Sequence, residues 1–329
     1  MRIETGKISN GSMVMGKKAA FLLAYVLHAF ASFLVAGGAA TKASAAGVYI
    51  IDTDKHADSL TIAQAVNSNC ALCRPVKYMD MTKSFAVGRQ IVEELKSRQS
   101  AGEVDFLVTL GMPATRIIAD EFRNTPIFYS LTNREARDPK NTAPFVDFAL
   151  RPPLALQLEA LRTMAPDIKN VGFLATRQEL EPFKAEASEA AKKYGLQIKF
   201  YYVEHSYDVP TGLRTAIQEM DALLFIRDRV AVNADTINYI LQLTLENQIP
   251  TMGYTGSLVR RGILSAVMPD SEKLGEALGK AIQAYLSTGV LPTGLNDPSL
   301  YQLHINTAAM KQTPSVKAQA PNGMKVVMR

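Results

Sequence analysis

Apolar and polar positions along this chain fall into two stretches built to one plan. The first runs Val104-Asp105-Phe106-Leu107-Val108-Thr109-Leu110-Gly111-Met112-Pro113-Ala114-Thr115, continues at helical spacing, and returns to an apolar run at Thr125-Pro126-Ile127-Phe128-Tyr129-Ser130. The second runs Met220-Asp221-Ala222-Leu223-Leu224-Phe225-Ile226-Arg227-Asp228-Arg229, then a helix, then Ile249-Pro250-Thr251-Met252-Gly253-Tyr254-Thr255. Each reads as acid, buried strand, polar loop, amphipathic helix, proline, strand. Short apolar runs alternating with helices predict parallel βαβ units, whose sheets take ligands at the carboxyl ends of their strands. One unit in each half predicts two α/β lobes that can clamp a ligand.

The flanking pattern extends both lobes. Val48 to Ile51 predicts a strand ending at Asp52, followed by a helix from Ser59 to Val66 and a strand from Val76 to Met79. Phe85, Val87, Ile91, Val92 and Leu95 recur at helical spacing over 85–98. Arg151-Pro152-Pro153 starts a helix ending near Ala165-Pro166, after which the alternation resumes: strands at 171–175, 198–203 and 262–268, helices at 179–194, 211–219 and 271–287, and a last strand at 301–305. Residues 311–329, polar and holding Pro314 and Pro321, read as a flexible tail.

The N-terminal residues follow a different rule. Lys17 and Lys18 precede an apolar run from Ala19 to Ala40, and Ala43-Ser44-Ala45 offers small residues for cleavage. Residues 1–45 are therefore expected to be a secretory signal peptide. The run is also about long enough for a membrane anchor, but its Gly37-Gly38 break and the A-x-A sequence favour cleavage. No cysteine follows it to carry a lipid, so the expected location is periplasmic. The whole chain carries a net charge of +5. Residues 1–45 hold five Lys/Arg and one acid, which leaves 31 bases against 30 acids. That near-neutral remainder excludes a nucleic-acid footprint, which needs a clustered cationic excess.

Cofactor and catalytic motifs are missing where they would be needed. The first strand ends in Asp52-Thr53-Asp54-Lys55-His56, without the glycines of a dinucleotide site, and neither a P-loop nor a G-x-S-x-G elbow occurs. His56, His205 and His304 lie in no metal-ligand spacing. Cys70 and Cys73 are spaced C-x-x-C after a turn-like Asn67-Ser68-Asn69, favouring a structural bridge or an idle pair over a redox centre. No cofactor, metal or enzymatic activity is expected.

The strand-end loops carry binding chemistry instead. Met112-Pro113-Ala114 opens a helix directly after a strand, where first-turn amides favour an anion; proline is equally a plain helix starter. Tyr129-Ser130 and Tyr254-Thr255 end strands in the two repeats, as an aromatic wall with hydroxyls or as core caps. Thr176-Arg177 and Arg227-Asp228-Arg229 place arginines where they can fork a carboxylate, while the second cluster is equally read as a solvated charge cluster or an interlobe salt bridge. With Asp52, Leu110 and Leu131 at the other strand ends, these are the candidate ligand contacts.

The order and spacing of several segments resemble the exported substrate-binding proteins of ABC transporters, in the tryptophan/tyrosine-binding-like branch. The segments are Asp105–Ala114, Leu156–Leu174 with Ala165-Pro166, Asp221–Leu224, Ile249-Pro250-Thr251, Gly262-Ile263-Leu264, Leu274-Gly275 and Ile305–Ala309. The resemblance implies the type I periplasmic-binding-protein fold, two parallel-sheet lobes joined by three crossovers at a hinge. It implies one lobe from 46–150 plus 260–288 and another from 151–259 plus 289–310. The implied partners are a small-molecule ligand, an amino acid or other carboxylate, and a membrane permease; the alternatives are a sensory protein that reports to a membrane receptor and, after it, an exported α/β enzyme with an unrecognised site. The charged Arg227-Asp228-Arg229 loop departs from the usual pattern near the expected pocket.

Overall fold

The computed structural model describes residues 46–53, 59–73, 76–130, 145–147, 152–290, 297–321 and 323–329. The expected signal peptide at 1–45 and the candidate contact Leu131 lie outside these residues. In the first half, β1 (Val48–Asp52), α1 (Ser59–Asn69), β2 (Val76–Asp80), α2 (Phe85–Ser100), β3 (Phe106–Leu110), α3 (Met112–Glu121), β4 (Ile127–Ser130) and β5 (Phe145–Asp147) follow in order. Their strands form a parallel five-stranded sheet, β2-β1-β3-β4-β5. β1 and β3 are buried at every position, as the unbroken apolar runs require of strands covered on both faces.

The second half begins with α4 (Leu154–Met164) and continues through β6 (Asn170–Ala175), α5 (Arg177–Leu180), α6 (Lys184–Lys193), β7 (Gln197–Tyr202), α7 (Val209–Ala216), β8 (Ala222–Leu224), α8 (Ile237–Glu246), β9 (Thr251–Gly253), α9 (Gly256–Arg261) and β10 (Ser265–Pro269). α10 (Ser271–Thr288), β11 (Tyr301–Ile305), α11 (Thr307–Lys311) and β12 (Lys325–Met328) complete it. Its sheet runs β12-β11-β10-β9-β8-β6-β7, with β11 antiparallel to β10. The helix expected over 179–194 is broken by a 3-10 turn at Glu181–Phe183. Pro182 has no N–H for an α-helical bond, so the chain tightens there.

The two repeated acids do the same job in the two sheets. Asp105 Oδ2 accepts the Gly47 amide at 2.7 Å, just before β1. Asp221 Oδ2 accepts the Lys169 and Asn170 amides at 2.8 and 2.7 Å, at the start of β6. Each carboxylate satisfies amides that the ladder leaves open at the amino edge. This is the physical content of the duplicated pattern.

Two expected boundaries are corrected. The segment 260–288 does not belong to the first lobe as a block. β10 pairs in parallel with β9, Ser265 against Met252, and so lies in the second sheet. Only α10, after the turn at Pro269-Asp270, packs on the first lobe, where it meets α1. The contact is close because Gly275 and Gly279 lack side chains: a Cβ on Gly275 would stand 2.5 Å from the Ile62 carbonyl oxygen and 2.6 Å from the Ala65 Cβ. Among the described elements the chain therefore passes from one lobe to the other three times: between β5 and α4, between β10 and α10, and between α10 and β11.

Residues 311–329 are not a loose tail. Thr313, Val316 and Met324 are buried, the Lys317 amide donates to the Met164 carbonyl at 2.8 Å, and β12 pairs in parallel with β11. Without β12 the unpaired edge would be β11, and the Val326-Val327 pair meets that need. The polar residues and prolines between hide these few anchors from a composition reading.

Cys70 and Cys73 are bridged and fully buried at the end of α1. The turn between them is tied down on both sides: Leu72 donates to Gln283 Oε1 of α10 and accepts from the Ala46 amide. The bridge is thus a staple in the packing of α1, α10 and the chain entering β1.

Candidate functional site

Strand register places most of the candidate residues at the carboxyl edges of the two sheets. In the first, Asp52 stands level with Asp80 and Leu110, and Leu110 with Ser130. In the second, Ala175 stands level with Tyr202, and Leu224 with Met252, so Thr176, Arg227 and Tyr254 follow at adjacent strand ends.

The first edge is largely occupied by its own bonds. Gly111 takes φ +91°, a region open to glycine, and makes the turn from β3 into α3. Thr53 spans that turn: its amide and hydroxyl both donate to the Leu110 carbonyl, while its Oγ1 accepts the Ala114 amide at 3.1 Å. The Thr115 amide returns to Gly111, and Pro113 has no N–H. At most the Met112 amide is left for an anion, so the expected α3 anion site is corrected to a largely self-satisfied helix start. Leu110 is buried, and its carbonyl is taken up by this turn.

Asp52 is buried and accepts the Tyr78 hydroxyl at 2.6 Å. Burial, and then the Asp52 and Asp80 carboxylates, push the Tyr78 phenol well above its ordinary range. Asp80 accepts the Thr82 amide at 2.7 Å. Tyr129 and Ser130 are buried too, so of the two tyrosine–hydroxyl strand ends only Tyr254-Thr255 is partly open. Sequence reasoning missed Tyr78 and Ser59. Ser59, 1 % exposed at the start of α1, has a buried hydroxyl without a hydrogen-bond partner among the described residues. A hydroxyl-bearing first helical residue was the available signal.

The second edge divides the three arginines. Arg177 has 69 % of its side chain exposed, pairs with Glu181 at 3.1 Å and lies 4.2 Å over the Tyr202 ring on the edge strand β7. It is a solvated residue of the outer sheet edge, with its charge already paired. Arg229 is exposed, and its carbonyl serves as an acceptor for Asn233. Arg227 is exposed at the strand end, its guanidinium carbon 5.8 Å from the centre of the Tyr254 ring. Among the described residues no salt bridge involves it.

Asp228, one of the candidate ligand contacts, has its carboxylate taken up by the protein itself. It is 3 % exposed, and its Oδ2 accepts the Thr176 amide at 2.6 Å and the Thr176 hydroxyl at 2.8 Å. Its Oδ1 accepts the Val230 and Ala231 amides at 2.6 and 3.0 Å. Burial acts to raise its pKa, but the bonds from Thr176, Ala231 and Val230 outweigh burial and hold the carboxyl below its ordinary value. The acid serves the protein, not the solvent.

Two α/β lobes with carboxyl-edge loops, joined by three crossings, define a two-lobed ligand-binding protein of the type I periplasmic-binding class. The chain belongs to the ABC transporter substrate binding protein family, whose model matches residues 75–314. Among solved structures it is similar to the ligand-free, open form of a substrate binding protein with adhesive properties from Clostridium difficile, at 15 % identity, 86 % of this chain and 99 % of that one, with a TM-score of 0.66. An ABC domain from Streptococcus pneumonia in complex with L-Trp is similar at 19 % identity, 85 % and 100 % coverage and a TM-score of 0.52. A conserved domain protein from Vibrio cholerae follows at 17 %, 87 % and 100 %, with 0.53. At these identities the likeness concerns the fold alone. No curated protein matches the chain in sequence. The class and the family together make this a solute-binding protein.

Proposed function

We propose that the protein is exported to the periplasm, closes its two lobes over a small organic molecule bearing a carboxylate, and delivers it to a membrane permease. Arg227 carries this reading: an arginine at the carboxyl edge of a parallel sheet, beside an aromatic ring and without an ion pair among the described residues. A guanidinium so placed presents a fork suited to a carboxylate, and the half-buried Tyr254 offers a ring and a phenol beside it. Closure follows if a ligand makes contacts only when both lobes engage it, shifting an open–closed equilibrium. The pneumococcal complex makes aromatic amino acids the first compounds to try, followed by other amino acids and simple carboxylates. In keeping with the family, no helix among the described residues is long and apolar enough to cross a membrane.

Thermal unfolding across that panel, followed by small-angle scattering with the best compound, tests the reading. A ligand at a hundredfold excess over its Kd raises stability by about 2.7 kcal/mol and should compact the protein. A folded protein that neither melts higher nor compacts with any amino acid or carboxylate overturns it.

A further inference from the structure

We infer that Asp228 is a positioning residue, which fixes the loop presenting Arg227 at the carboxyl edge of the second sheet and does not itself meet the ligand. This deepens the reading of Arg227 as the anion contact and rests on it.

The capacity of the carboxylate decides the first half. Each oxygen accepts two hydrogen bonds from the protein, two from Thr176 and two from the amides of Val230 and Ala231. A carboxylate has about four lone-pair sites, and all are used. A ligand ammonium would have to displace a buried N–H, leaving it unpaired, so beside Arg227 and Tyr254 Asp228 offers a ligand no free acceptor.

The placement of those bonds decides the second half. On one side of Arg227, the Phe225 amide donates to the Met252 carbonyl at 2.8 Å and continues the ladder toward β9. On the other, Asp228 ties the chain back to the turn after β6 through Thr176 and forward to its own loop. That loop is held in turn: Asn233 Oδ1 accepts the amides of Asp235 and Thr236, Asn233 Nδ2 donates to Ser206 Oγ, and Thr236 Oγ1 donates to the Ala231 carbonyl. The Arg227 backbone is therefore fixed on both flanks while its side chain makes no ion pair among the described residues. An asparagine at 228 would turn an amide NH2 toward two of the four donors, whichever way it faced.

The experiment needs no ligand, so it stands apart from the panel above. In a nitrogen–proton correlation spectrum of the whole protein, the Arg227 Nε–H signal, assigned by its loss in Arg227→Lys, should be displaced by the ring current of Tyr254. Tyr254→Leu should abolish the displacement, Asp228→Asn should abolish it in the same way, and Thr176→Val, which removes one of the four bonds, should reduce it. Circular dichroism shows which variants fold. An unchanged Arg227 signal in folded Asp228→Asn overturns the inference; should that variant not fold, an unchanged signal in Thr176→Val overturns it.

Discussion

The guanidinium of Arg227 and the ring of Tyr254 lie 5.8 Å apart at the ends of neighbouring strands, β8 and β9. Burial raises the Tyr254 phenol, Arg227 pulls it down and Asp228 pushes it up, with the net effect upward. The phenol therefore stays protonated at neutral pH and is able to donate to the carboxylate proposed to sit at Arg227.

Arg227→Ala should weaken binding of the best carboxylate from the panel at least tenfold, since a charge-assisted bond in a closed, desolvated cleft contributes about 1.5–3 kcal/mol. Arg177→Ala should leave the affinity unchanged, because that side chain is spent on Glu181 and Tyr202 at the outer strand. Calorimetric titration of both variants checks the assignment; equal losses would refute it.

Asp228 makes stability depend on pH with a definite sign. Its folded pKa lies below the unfolded value of about 3.9, so its contribution is complete above about pH 5 and is lost as pH falls through the unfolded and then the folded pKa. Urea unfolding at a series of pH values should show wild type above Asp228→Asn by a constant margin from neutrality to about pH 5, and a shrinking margin below. A margin independent of pH down to 2 would contradict this.

Gly275→Ala should destabilise the protein by about 1–3 kcal/mol, as overpacking does, because the new methyl meets backbone of α1. Gly88→Ala is the control. Its Cβ would meet only the flexible end of Met81 at 3.2 Å, and alanine is the better helix former. Denaturant midpoints of the two variants should move in opposite directions.

Removal of residues 325–329 should lower the melting temperature by several degrees, since it strips β12 from β11 and takes away the Arg329 carbonyl that accepts the Thr307 amide and hydroxyl. Affinity for the best carboxylate should not change, because these bonds lie away from the Arg227 edge. A truncated protein that melts like wild type would restore the view of this segment as a loose tail.

Much of the fold was legible because burial on both faces imposes unbroken apolar runs, as at Phe106–Leu110 and Val171–Ala175, and because Asp105 and Asp221 mark the same point of each repeat. Elements with little apolar content were not. β12 needs only Val326 and Val327 to occupy an edge, too weak a pattern to stand out beside two prolines. The assignment of β10 to the second sheet was hidden as well, since a strand's sequence does not name its neighbour.

The site was legible as a set of positions and not as a set of roles. Sequence alone determined which residues follow the strands, because the period of the pattern fixes where each strand ends. Whether a polar side chain there faces a ligand or the protein depends on groups distant in the chain. Thr176, fifty-two residues before Asp228, converts that acid from a contact into a tie. Glu181 and Tyr202 draw Arg177 to the outer edge, and Thr53 fills the α3 helix start. Hydrogen-bond capacity is finite, and only the tertiary structure decided how it was spent.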